Sequence, residues 1–352
     1  MWYPKLLLCF ICLCSQFAAA ELPDASPARL PRWRGFNLLE KFDRDFPERN
    51  APFQEADFKW ISEFGFNFVR LPLDYRIWIK NGDWEQIDET AFQAIDQAVE
   101  WGGKYSIHVC LNFHRAPGFT VNKPAEAKDL WKDAAAQKVC AKHWAFFARR
   151  YKGISNRKLS FNLFNEPHDI SADAYTKVVA IMATAIRSQD HDRLIIADGL
   201  NWGNNPVPEL KKLRVAEATR GYTPSSVTHY HASWVAGADR WPKPTQWPPS
   251  STSPNHKDAA LAASLNPWKK LKHQGVGVMI GEWGAHNETP HDVVLSWMED
   301  CLGNYREAGC GWALWNFRGS FGVMDSYRKD VQYEDFHGHK LDRAMLKLLQ
   351  KD

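Results

Sequence analysis

Residues 140–167 read CAKHWAFFARRYKGISNRKLSFNLFNEP and hold one complete unit of the fold. Cys140, Trp144, Phe147 and Tyr151 recur three or four positions apart, the spacing of one face of an amphipathic helix. Gly153 follows, and glycine is the residue that best tolerates the left-handed turn ending a helix. The next apolar run, 159–165, has the length of a buried strand and closes on Asn165-Glu166-Pro167. A helix released by glycine into a short apolar strand is the repeating unit of a parallel α/β protein.

The same unit recurs in both directions. Strands are expected at 33–39, 66–72, 106–113, 159–165, 193–198, 226–232, 276–282 and 310–317. Helical spacing lies between them, as in Phe92, Ile95 and Val99 or Val294, Trp297, Cys301 and Tyr305, and Gly102, Gly275 and Gly309 repeat the terminating glycine. Eight strands, each followed by a helix, the last near 341–350, match the count of a single closed (β/α)8 TIM barrel. An open doubly wound sheet usually has fewer strands and needs a glycine-rich phosphate turn after the first, which the sequence lacks. With no internal repeat and no low-complexity linker, residues 21–352 read as one domain.

Residues 1–20 carry one cation, Lys5, an apolar run from Leu6 to Cys14 and the small residues Ala18-Ala19-Ala20. That pattern is a secretory signal peptide cleaved near Ala20, too short to remain as a membrane anchor. Export to the periplasm or the extracellular space is therefore expected. It leaves Cys110, Cys140, Cys301 and Cys310, which form either disulfides or buried free thiols. The chain is 45% hydrophobic and 24% charged with a net charge of +3, so it can bury a large core. Its basic residues are interspersed with acids, which excludes an obvious nucleic-acid surface. The 17 tryptophans suit the apolar faces of sugar rings, or the packing of a large barrel. The connection 236–256, with Trp241, Trp247 and five prolines, is either a wall of a substrate cleft or a proline-stiffened surface loop.

In a parallel barrel the chemistry sits where strands end. Arg70, His114, Asn165-Glu166, His229 to His231, Glu282 and Trp315 close or follow the expected strands. Glu166 and Glu282 come from strands four and seven, and closure brings them to one mouth. Two facing carboxyl groups are the requirement of glycoside cleavage, one protonating the leaving oxygen and the other attacking the anomeric carbon or activating water. Apolar neighbours such as Phe161 and Phe164 would desolvate such a carboxyl and favour its protonated form.

These motifs, namely Arg34-Gly35-Phe36-Asn37, Asn67 to Pro72, His114 in His-Arg-Ala-Pro-Gly, Asn165-Glu166-Pro167, Gly281-Glu282-Trp283-Gly284 and Trp312-Ala313-Leu314-Trp315, resemble glycoside hydrolase family 5, the cellulase-like family of clan A. The resemblance spans nearly the whole mature chain. It implies a retaining double displacement with Glu166 as acid/base and Glu282 as nucleophile, and requires no metal or cofactor. It also implies that Asn165 binds the sugar 2-hydroxyl, Arg70 orients Glu282, His114 and His229 line the cleaved sugar's site, and Trp315 lies beneath that sugar. The expected substrate is a β-1,4-glucan cut endo, with a β-mannan, another β-glucan or exo action as the alternative, and the expected state is a monomer. One departure stands out: the family's strand-six histidine is followed two residues later by a tyrosine, whereas Thr228-His229-Tyr230-His231 offers histidine. Either His231 replaces the tyrosine or Tyr230 turns inward. The same His-x-His spacing suits zinc, the first rival reading, and a barrel that binds sugar without cleaving it is the second.

Overall fold

Alternation along the strands decides what faces the barrel axis. The computed structural model describes residues 21–249 and 259–352; the leader expected at 1–20 and part of the 236–256 connection lie outside the described residues. The barrel strands are β1 (Arg34–Asn37), β2 (Phe68–Asp74), β3 (His108–Ala116), β4 (Leu159–Asn162), β5 (Ile195–Asp198), β6 (Ala216–Gly221), β7 (Val278–Trp283) and β8 (Gly311–Leu314). Each pairs in parallel with the next, and β1 pairs with β8, so the sheet has no open edge. At the β1–β2 contact the backbones approach so closely that a Cβ on Gly35 would lie 1.7 Å from the Phe68 carbonyl oxygen; only glycine fits there.

Inside the barrel, Phe68, Cys110, Ile196, Ala216, Ala218, Met279 and Ala313 form an apolar layer plugged from below by Leu30 and Trp33. Trp33 stacks on His108 at 4.0 Å and on Phe68 at 5.1 Å. Two residues further along the strands the inward stripe turns polar, with Arg70, Asn162, Asp198 and Arg220 hydrogen-bonded to one another or to shared partners. The lower barrel is thus a packed core and the upper barrel a prepared polar floor.

Outside lie α1 (Glu55–Glu63), α2 (Gln93–Lys104), α3 (Ala134–Arg150), α4 (Ala172–Gln189), α5 (Asn266–His273), α6 (His291–Glu307) and α7 (Arg343–Gln350). The helix read from residues 140–151 buries its stripe as the spacing requires: Trp144 stacks on Phe113 of β3 at 3.8 Å and meets Phe161 of β4 at 5.2 Å. Asp133 caps its start by accepting from the amides of Ala135 and Ala136, which satisfies two of the orphan donors at a helix N-terminus.

Two expectations need correction. No full helix follows β5; Leu200–Gly203 and the 3-10 turn Pro208–Leu213 stand in its place. Strand six is 216–221 and not 226–232, where Ser225–Thr228 is a short helix. The reason is that Ala216 and Ala218 face the crowded axis, where small residues fit, while the outward Glu217 accepts from the Val207 amide; neither carries the β-branched signal that Val227 supplies. Residues 334–341 form a hairpin in which Glu334–Phe336 pairs with His339–Leu341, and Phe336 packs on Trp60 and Phe64 beside α1. Cys110, Cys140, Cys301 and Cys310 are all free and buried. Among the described residues, no helix is long and apolar enough to cross a membrane.

Candidate active site

Arg70 lies on the inward stripe of β2 and is buried at 1% exposure, so every donor of its fork must be satisfied from within. Its Nε donates to Asn162, its Nη1 to Asn37 and to Glu282 Oε1 at 2.6 Å, and its Nη2 to Asn165. Glu282 sits beside a bulge in β7, where the register shifts after Ile280; bulges of this kind re-aim a side chain. Asn165 accepts from Arg70 and Arg220 through one oxygen and turns its amide nitrogen toward His114 Nε2 at 3.5 Å.

Glu166 faces the same floor from the end of the run that follows β4. Its backbone has φ +53°, a left-handed conformation uncommon for a side chain of this size. Its amide is held by Asp198 Oδ2 at 3.0 Å. Strain held by the surrounding structure is typical of functional positions. Burial, followed by the nearby Glu282, pushes the Glu166 carboxyl above the ordinary carboxylate range, against the lowering effect of Arg220.

Arg220 of β6 joins the two carboxyl groups. Its Nε donates to Glu166 Oε1 at 3.0 Å and its Nη2 lies 3.2 Å from Glu282 Oε1. These two nitrogens share one edge of the guanidinium, so Glu166 and Glu282 face each other across a short gap. Tyr222, just beyond β6, donates to Glu282 Oε2 at 3.3 Å. His114 is buried, and desolvation together with Arg70 and Arg220 keeps its ring neutral. Its ring lies 4.5 Å from Phe42 and 5.7 Å from Trp315.

A family model described as cellulase (glycosyl hydrolase family 5) matches residues 27–320. The chain belongs to glycosyl hydrolase family 5. Endoglucanase C of Acetivibrio thermocellus is 27% identical over 313 residues, covering 80% of this chain and 88% of that one. Cellodextrinase A of Ruminococcus flavefaciens is 25% identical, covering 70% and 73% respectively. A crystal structure described as a glycoside hydrolase superposes with a TM-score of 0.83 at 38% identity, covering 91% of this chain and 99% of that one. The protein is a glycoside hydrolase of a (β/α)8 fold.

Within this family-5 barrel, the structure gathers Glu166, Glu282, Arg70, Asn165, His114 and Trp315 at one end of the strands. His229 stands at the edge, its ring 4.9 Å from Tyr222 and its Nδ1 2.9 Å from the Thr228 hydroxyl. His231 is not part of the constellation: it is exposed, with φ +55°. The strand-six departure therefore dissolves. Counting from the true β6, Arg220-Gly221-Tyr222 supplies the tyrosine at its usual spacing, and the residue that departs from the family pattern is Arg220, where histidine is usual. With no strand at 226–232, the expected His-x-His pair has no common strand face.

Asp198, Arg220 and Tyr222 are the site residues the motifs did not reveal. Asp198 closes β5 within the expected strand 193–198, so the strand-end rule that finds Glu282 finds it too. Arg220 and Tyr222 were hidden by the displaced strand. Of the connection's tryptophans, Trp247 packs against the core and its Nε1 donates to Asp300 of α6, so it is not a free platform. Trp202 fits that role better: it is 48% exposed and stacks on His168 at 4.7 Å, beside the Glu166-Pro167 turn whose Pro167 carbonyl accepts from its amide.

Proposed function

We propose that the protein is a secreted, retaining endo-β-1,4-glucanase in which Glu166 is the acid/base and Glu282 the nucleophile. The observation that carries the reading is the single guanidinium edge of Arg220 spanning both carboxyl groups. Retaining enzymes keep the two carboxyls about 5 to 5.5 Å apart, whereas inverting enzymes leave roughly 6.5 to 9.5 Å for a water; a shared guanidinium edge favours the short spacing.

In the first step the Glu282 carboxylate, oriented by Arg70 and Tyr222, forms a bond to the anomeric carbon. The glycosidic carbon–oxygen bond breaks, and the leaving oxygen takes both its electrons and the proton of Glu166. In the second step Glu166, now a carboxylate, removes a proton from water as the water oxygen displaces Glu282. Asn165 stands beside the nucleophile, in position for the 2-hydroxyl. Trp315, against His114 and Phe42, offers a ring to the cleaved sugar. Trp202 stands on the flank of Glu166, where the leaving sugar departs.

The names of the relatives, an endoglucanase and a cellodextrinase, support a β-1,4-glucan, and the leader read in residues 1–20 supports export. The test is reducing-sugar release from β-glucans and β-mannans, with chain-length analysis of the products and Glu282→Ala as control. Release of mixed cello-oligosaccharides by the wild type alone supports the proposal. Release from mannan alone, or of a single sugar from chain ends, replaces the substrate or the endo mode; no release from any polymer or aryl glycoside refutes the proposal.

A further inference from the structure

Five ionisable groups meet at the barrel floor: Arg70 and Arg220 face Glu166, Glu282 and Asp198. Two cations balance two carboxylates, and water is largely excluded, so the set is neutral when one proton remains on the three acids. The partners indicate where that proton resides. Asp198 is wholly buried, and it accepts from Arg220, from the side-chain nitrogen of Asn162 and from the Glu166 amide. Glu282, 4% exposed at its side chain, is paired with Arg70 at 2.6 Å and lies close to Arg220. Glu166, at 17%, is the most exposed of the three and has the Nε of Arg220 alone among the cations. The proton therefore belongs to Glu166, the group that must donate it.

We propose, on the acid/base reading of Glu166 given above, that Asp198 is a positioning residue that fixes Arg220 and cancels its charge, leaving that guanidinium free to serve both carboxyl groups in turn. During the first step Glu282 gives up its charge to the new carbon–oxygen bond while Glu166 gains one by losing its proton. The negative charge thus moves across one guanidinium, from beside Nη2 to beside Nε, and the number of charges on the floor does not change. Without Asp198 the floor would carry an extra positive charge, which would pull the proton from Glu166 before substrate arrived. Beyond burial and the nearby Glu282, which raise the pH at which Glu166 ionises, the charges of the pair act in the same sense as the geometry, Arg220 lowering it and Asp198 raising it. The other groups near the floor do not compensate: His114 of β3 is held neutral and the Tyr222 hydroxyl is pushed far above its ordinary range. On its own turn, His168 contacts the Glu166 backbone carbonyl through Nδ1 and has Asp169 3.9 Å from its Nε2.

The test is the pH profile of kcat/KM on phenyl β-cellobioside, whose poor leaving group needs an acid. In Asp198→Asn, which keeps the shape and one acceptor, the basic limb moves down by about one pH unit or more, and activity lost at neutral pH returns on acidification. Arg220→Gln moves the same limb up, and Asp198→Asn combined with Arg220→Gln brings it back toward the wild type. A purely structural role for Asp198 would lower activity equally at all pH values. An unmoved limb in Asp198→Asn with native circular dichroism overturns the proposal, as does an unmoved limb in Arg220→Gln should Asp198→Asn fail to fold. Glu166→Gln separates the two readings: full activity in that variant refutes the acid/base assignment and this inference with it. An inactive Glu166→Gln beside unmoved limbs refutes the pairing alone.

Discussion

At the scale of single residues, Glu166 and Glu282 differ in what surrounds them more than in what they are. Burial and the nearby Glu282 raise the carboxyl of Glu166, so it keeps its proton above the usual carboxylate range; kcat/KM should fall as pH rises through that raised value, and the basic limb should vanish in Glu166→Ala. That variant should lose about 10²- to 10⁴-fold on unactivated substrates, the ordinary contribution of a general acid. It should still form the covalent intermediate from a dinitrophenyl glycoside, which needs no proton; burst kinetics would check this. For Arg70, truncation to alanine removes four hydrogen bonds from the floor and leaves Glu282 deprived of its nearest cation. Breaking a buried pair in this way costs roughly 3 to 5 kcal/mol, measurable by denaturant unfolding. The motifs around these residues made them legible in sequence, because each lies in or just beyond a strand with strong apolar neighbours. Asp198 was legible by the same rule, but it carries no motif of its own.

At the scale of elements, β6 shows where sequence patterning fails. Its inward residues must be small at Ala216 and Ala218 and charged at Arg220, so the strand has almost no apolar alternation. Ten residues on, Val227 to His231 looks like a strand and forms a short helix and turn. The seven other strands were legible because their outward faces pack against helices and keep Val, Ile, Leu and Phe. The correction has a direct check. Tyr222→Phe removes a hydroxyl donated to Glu282 at 3.3 Å and should lower kcat about tenfold, the value of a hydrogen bond to a charged group. His231→Ala should leave kcat unchanged. The reverse result would restore the displaced strand. The turn at Trp202 allows a second check: Trp202→Ala should raise KM for cello-oligosaccharides that reach past the cleavage point, with little change for aryl glycosides whose leaving group cannot reach it.

At the scale of the whole molecule, the closed barrel explains why residues from separate strands can share one floor, and also why a buried acid outside that floor affects stability alone. Glu217 is fully buried on the outer face of β6, and burial pushes its carboxyl up to about 8. Between its ordinary value and about 8 the folded state holds a proton that the unfolded chain has released, so stability falls as pH rises through this window. Glu217→Gln should therefore be more stable than the wild type at pH 9 and nearly equal to it at pH 5. The gap should widen by at most about 1.4 kcal/mol for every pH unit crossed inside the window, read from paired urea melts. The barrel as a whole was legible from the repeating helix–glycine–strand unit; the missing fifth helix was not, because a connection without amphipathic spacing gives no positive signal. The central claim is a covalent intermediate on Glu282. It is tested most directly by incubating the protein with a 2-deoxy-2-fluoro cellobioside bearing a good leaving group and mapping the labelled peptide by mass spectrometry. One sugar adduct is expected on the peptide containing Glu282, absent from Glu282→Ala; an adduct on another residue, or turnover with an inverted product and no adduct, would rule out Glu282 as the nucleophile.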